Sequence, residues 1–150
     1  MNTPDYHTKF NAHATADAAF NAICKVADWW ANDYEGNSEK LNDKFTIRFG
    51  ETRTDFELTR FIPFSKIVWQ VTGCHLHWLH DKKEWLGHTL IFDITPHGDD
   101  VTVEFTQIGL TPVAECYNDC EKGWNFYIGE SLKKLIETGK GKPDIAKAER

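Results

Sequence analysis

Two periodicities divide the chain. From Tyr6 to Ala12 polar and apolar residues alternate, and a period of two predicts a strand. Residues 16–23 read instead as a short helix: Thr15 can cap its free amides, and Asp17 in the first turn complements the dipole. Val26-Ala27-Asp28-Trp29-Trp30 continues it as a second helical stretch. From Phe45 the period returns to two. It runs through Phe45–Phe49, Thr54–Arg60 and Lys66–Thr72, with Gly50-Glu51 and Ile62-Pro63-Phe64-Ser65 as connections. Glu84–Thr95 and Val101–Ile108 make a further pair, joined at Pro96-His97-Gly98-Asp99-Asp100, a glycine-containing hairpin turn. The ending changes period again. Val113, Cys116, Tyr117, Cys120, Trp124, Tyr127, Ile128, Leu132 and Leu135 recur at helical spacing. Thr111-Pro112 supplies an N-cap and a first-turn proline; Gly139 and Pro143 close the run. The spacing predicts one long helix from about Val113 to Thr138.

The resulting class is α+β: an antiparallel sheet of six or seven strands, two short helices after the first strand, and one long C-terminal helix. The sheet's apolar face needs a cover, and only that last helix is long enough to provide it. No repeat or linker interrupts the 150 residues, so one domain is expected over 1–150, with a short tail after about residue 140.

Composition narrows the partners. Seventeen Lys and Arg against 23 Asp and Glu leave a net charge of −6, which argues against a phosphate-binding surface for nucleic acid or an anionic membrane. No apolar run is long enough to span a bilayer, and Met1–Tyr6 lacks the basic and apolar regions of a signal peptide. Four scattered cysteines (Cys24, Cys74, Cys116 and Cys120) do not make a secreted disulfide scaffold, so reduced thiols and a cytoplasmic location are expected. Aromatic residues reach 13%, six of them Trp, enough to line an apolar cavity as well as fill a core.

The order of elements, with Asp28-Trp29-Trp30 after the first helix and Lys66-Ile67-Val68-Trp69-Gln70-Val71 on a central strand, resembles a known superfamily. So do Glu115-Cys116-Tyr117, Gly123-Trp124-Asn125-Phe126-Tyr127, Ser131-Leu132-Lys133-Lys134-Leu135 and Glu137-Thr138-Gly139-Lys140-Gly141. Across nearly the whole chain the pattern is similar to the START and birch-pollen-allergen-like (polyketide cyclase/lipid-transport) superfamily, in the branch homologous to the activator of the Hsp90 ATPase. The resemblance implies a helix-grip fold: a curved sheet wrapped around the long helix with an apolar cavity between them. It does not imply one activity; the leading expectation is binding of a small hydrophobic or amphipathic, lipid-like molecule in that cavity, with no cofactor. Relatives also include co-chaperone domains and small-molecule cyclases or hydrolases, so a protein-interaction module, a chaperone partner, a homodimer and an enzyme all stay open.

Strand parity names the candidate ligand-binding residues. Phe56, Trp69, Leu90 and Phe105 should face the helix; Trp124 and Tyr127 lie on its inward stripe. The same parity turns His88, Gln107 and Arg60 inward. His88 and Gln107 either satisfy each other or orient a ligand, and His88→Leu should then keep the fold while weakening a polar-headed ligand. Gly123 and Gly129, each costing about 1 kcal/mol inside a helix, either admit close packing or leave room for a ligand. Cys74-His75-Leu76-His77-Trp78-Leu79-His80 lacks metal-ligand spacing and reads as a loop near a pocket mouth, so no metal site is expected. No Gly-x-Ser-x-Gly or phosphate loop occurs, so nothing in the sequence requires catalysis.

Overall fold

The computed structural model describes residues 4–144; Met1–Thr3 and the end of the expected tail, 145–150, lie outside the described residues. Strand β1 (Tyr6–Ala12) leads into α1 (Ala16–Cys24) and α2 (Val26–Trp29). Thr15 caps α1, its hydroxyl accepting from the Ala18 amide at 3.2 Å. The remaining strands are β2 (Tyr34–Gly36), β3 (Lys44–Phe49), β4 (Thr52–Ile62), β5 (Lys66–His75), β6 (Thr89–His97) and β7 (Asp100–Ile108). They form one antiparallel sheet in the order β1-β7-β6-β5-β4-β3-β2. Only β1 is out of sequence order, crossing the helical layer to pair with β7 from Tyr6↔Gln107 to Ala12↔Val101.

The chain then forms α3 (Tyr117–Phe126), a π-helical turn (Tyr127–Leu132) and α4 (Lys133–Thr138) as one continuous helix. The sheet wraps this helix in a helix grip. Phe105 packs on Trp124 at 4.8 Å between ring centres, and the Tyr6 hydroxyl donates to Asn125 Oδ1 at 2.6 Å, which ties β1 to α3. Burial pushes that phenol's pKa up to about 12. None of the helices among the described residues is long and apolar enough to cross a membrane.

Five features depart from the sequence reading. The helix begins at Tyr117, because residues 112–116 form turns and Val113 stands 82% exposed. Glu84–His88 belong to the connection before β6, which starts only at Thr89. Arg60 is exposed: the register shifts between Leu58 and Arg60, so the bulge reverses the parity beyond it. The expected tail folds back on the molecule, where Asp144 donates its amide to the Trp30 carbonyl at 2.8 Å. Gly141 lies against the Asp28 carbonyl, where a Cβ would meet the oxygen at 2.5 Å. Finally, Cys116 and Cys120 are disulfide-bonded, their Cα atoms 5.7 Å apart. A single turn brings them onto one face, since the Cys120 amide donates to the Cys116 carbonyl at 2.8 Å.

Candidate functional site

A cleft of about 130 Å³ opens where α3 meets the end of β3 and the β5–β6 connection. Its deep side is made by Trp30, just after α2, and by Trp124 on α3, whose rings lie 4.8 Å apart. Trp85 stacks on Trp124 at 6.0 Å and 17°. Phe49 at the end of β3 reaches Trp30 at 6.0 Å and Tyr127 at 6.4 Å, closing the opposite side. At the mouth stands Trp78, 49% exposed, and Asp119 on α3 also borders the cleft. Cys120 and Gly123 complete the wall.

Gly123 decides between the two expectations for the helical glycines. A Cβ built there meets nothing within 4 Å, and the same holds at Gly129. Close packing is therefore absent, and the space at Gly123 belongs to the cleft. The π-helical turn begins at Tyr127, directly after α3, and such turns widen a helix locally. Its Ser131 is fully buried and donates to the Trp29 carbonyl at 2.6 Å, anchoring the helix to the segment that carries Trp30.

Two indoles of the cleft have their N–H groups committed elsewhere. Trp124 Nε1 donates to Gln107 Oε1 at 2.8 Å, and Trp85 Nε1 to Cys116 Sγ at 3.3 Å. Gln107 is fully buried, and its amide nitrogen is 2.9 Å from His88 Nδ1. Since the amide oxygen accepts from Trp124, its NH₂ donates and Nδ1 accepts, which places the imidazole proton on Nε2. His88 and Gln107 thus satisfy each other. Hairpin register permits this: Pro96 pairs with Val101 and Leu90 with Gln107, two residues from the simplest pairing. The ring of His88 stacks behind Trp85 at 6.5 Å, against Gly109, where a side chain would collide with it. Burial lowers its pKa.

Of the residues named from the sequence, Trp124 and Tyr127 line the cleft. His88 and Gln107 stand one layer back, holding Trp124 and Trp85. Phe56, Trp69, Leu90 and Phe105 are buried in the packed core and do not line it. Trp30, Phe49, Trp78 and Trp85 were missed as lining residues. Three of them, Trp30, Trp78 and Trp85, come from connections, whose paths no periodicity records.

Carboxylates pin the β5–β6 connection over the cleft. Glu115 accepts from the amides of His80 at 2.8 Å and Asp81 at 3.1 Å; Glu84 accepts from those of Glu115 at 2.7 Å and Cys116 at 3.0 Å. The two amides of the connection hold the Glu115 pKa below the usual carboxylate range. Among the described residues no group of three or more His, Cys, Asp or Glu is placed to hold a metal, and His77 pairs instead with Glu51 at 3.1 Å.

No protein-family model matches the sequence, and no curated protein matches it either. Solved structures do. The Aha1 dimer from Colwellia psychrerythraea aligns with a TM-score of 0.75 at 23% identity, over 91% of this chain and 98% of that one. The chain shares the helix-grip fold of that Aha1 protein. DynU16, from the dynemicin biosynthetic locus, aligns at 0.69 and 16% identity, over 97% of this chain and 52% of its own. The protein SSP2350 from Staphylococcus saprophyticus aligns at 0.68 and 15% identity, over 94% and 98% of the two chains. At these identities the likeness establishes the helix grip and leaves function to the site.

Proposed function

We propose that the chain binds a small hydrophobic or amphipathic molecule in the aromatic cleft between the helix, the end of β3 and the β5–β6 connection. The observation that carries this reading is the free space at Gly123 inside a ring of aromatic side chains. A glycine that weakens its helix and packs against nothing is offset by what the vacancy admits. Trp124 and Tyr127 contact the ligand; His88 and Gln107 fix the Trp124 ring. Native mass spectrometry of protein purified from its own host should show a retained small molecule. Gly123→Leu, whose Cβ meets no atom within 4 Å and whose side chain takes up space in the cleft, should abolish that retention. Equal ligand content in the two proteins refutes the reading.

A second reading rests on Trp78, Leu86 and Val113. All three are large, apolar and about half or more exposed, on the two segments that Glu84 and Glu115 hold together. They suit a protein partner, and the Colwellia protein's dimer suggests a second copy of this chain. Sedimentation equilibrium over a wide concentration range tests it: the Leu86→Ser, Val113→Ser protein should be monomeric where the parent is dimeric. A parent that is monomeric throughout removes the second copy.

A further inference from the structure

We infer that Cys116 and Cys120 form a thiol–disulfide exchange site that controls the width of the cleft; the gating half rests on the ligand-binding reading above. The pair sits where helix and cleft join. Cys120 borders the free volume, and Cys116 Sγ accepts the indole N–H of Trp85, another lining residue, at 3.3 Å. As a staple the bond does little. A disulfide restrains an unfolded chain least when its loop is shortest, and this one spans a single turn that the Cys120 amide already closes on the Cys116 carbonyl at 2.8 Å. The same backbone therefore carries the bond or the two thiols, with no refolding between them. The other cysteines take no part. Cys24 and Cys74 are buried free thiols, and burial pushes both up, that of Cys24 to about 12, away from the reactive thiolate.

Burial sets the order of exchange. Cys120 is 8% exposed and Cys116 is 0% exposed, so one thiolate of an incoming dithiol attacks Cys120 Sγ. The Cys116–Cys120 bond breaks, Cys116 leaves as a thiolate facing the Trp85 N–H, and it takes up a proton. The second thiolate of the reductant then displaces Cys120, which is protonated in turn. The dithiol ends as a disulfide, having passed two electrons to the pair. Two thiols need more room than one bond, because their sulfurs must part from bonding distance to van der Waals contact. Cys116 has nowhere to go: it is fully buried against Trp85, and its amide donates to Glu84 at 3.0 Å. Trp85 is held in turn by stacking on Trp124 and His88. Cys120 adjoins free volume, so its thiol moves into the cleft. Reduction narrows the cleft and oxidation widens it.

Fluorobenzene, small and uncharged, is the probe, followed by fluorine NMR with the full chain either oxidised or held in dithiothreitol. Loss of a methylene-sized contact corresponds to roughly fourfold in affinity, so reduction should weaken fluorobenzene by about that factor. By reciprocity, saturating fluorobenzene should raise the ratio of reduced to oxidised dithiothreitol needed for half reduction by the same factor. Iodoacetamide and peptide mass spectrometry read the thiols: in the folded, reduced chain Cys120 should be alkylated while Cys24 and Cys74 stay protected. Two variants separate the sulfur from the bond. Cys120→Ala, with neither, should bind as the oxidised parent does in both conditions. Cys116→Ser, which keeps the Cys120 thiol, should bind as the reduced parent does in both, and circular dichroism checks that each folds. A pair that stays bonded until the chain unfolds overturns the exchange. Equal affinity before and after reduction overturns the gate and keeps the ligand-binding reading; binding by neither form overturns both.

Discussion

The aromatic side chains run from the middle of the sheet to the mouth of the cleft, and the two ends behave differently. In the middle, Trp69 forms a triangle of near-parallel rings with Trp29 at 6.3 Å and Trp30 at 6.1 Å, with Phe92 at 4.8 Å and Phe45 at 4.9 Å edge-on. Every one of those rings is buried. At the other end Trp30, Trp124 and Trp85 are as deeply buried, yet they surround free volume. The residue types are the same. What differs is the opposing surface: strand side chains at fixed spacing fill the middle, whereas a glycine and a connection face the other end. A core opens into a cleft here where one side chain is withheld.

Removing a ring from each end should show the contrast most strongly. Trp69→Ala leaves a large hole in a filled core and should cost about 3–5 kcal/mol. Trp78→Leu, at the mouth, should change stability by less than about 0.5 kcal/mol. Chemical denaturation followed by circular dichroism measures both. Comparable losses would mean that the mouth is core as well, and the distinction between the two ends would fail.

The middle was legible in the sequence and the mouth was not. Period two fixed the inward parity of Phe45, Phe56, Trp69, Leu90 and Phe105, because a sheet buried on one face ties each side chain to its neighbours two residues away. Thr15 as a cap and β1 over Tyr6–Ala12 followed from equally local rules. Arg60 escaped because a bulge leaves no mark in hydrophobicity. Thr111-Pro112 looked like a helix start, but the backbone there spends its amides on Glu84 and on turns, and the helix begins at Tyr117. Trp78 and Trp85 reach the cleft because Glu115 and Glu84 clamp their loop, a long-range contact with no periodic signal. Gly123 was visible as an anomaly in a helix; the empty space around it removes close packing as its reason.

The support behind the open end gives the next effect. Leucine at His88 would leave the fully buried Gln107 amide without its acceptor, at a cost of about 1–3 kcal/mol, so His88→Leu is expected to destabilise the fold as well as loosen Trp124. Titration gives an independent view of the same contact. The His88 pKa is lowered in the folded chain, so below the ordinary histidine value of 6.5 the unfolded chain takes up a proton that the folded chain resists. Its contribution therefore leaves stability intact above that value and subtracts from it as pH falls toward the folded pKa. In His88→Leu this part of the acid dependence should vanish, seen as a shallower fall of the unfolding midpoint between parent and variant on acidification. An unchanged acid slope would place the titration elsewhere and detach His88 from the cleft.

The smallest effect sharpens the comparison furthest, because stability and binding should move in opposite directions. Gly123→Ala adds one methyl group where no atom lies within 4 Å and removes the conformational freedom of a helical glycine. In a filled core an extra carbon strains its neighbours. Here it should stabilise the chain by up to about 1 kcal/mol, as helix propensity alone predicts, and raise the thermal midpoint by a few degrees. The same methyl takes volume from a cleft of only about 130 Å³ and should weaken a bound molecule. Thermal unfolding and ligand titration on one preparation measure both. A destabilised Gly123→Ala would show a close-packed glycine, and with it the cleft would revert to ordinary core.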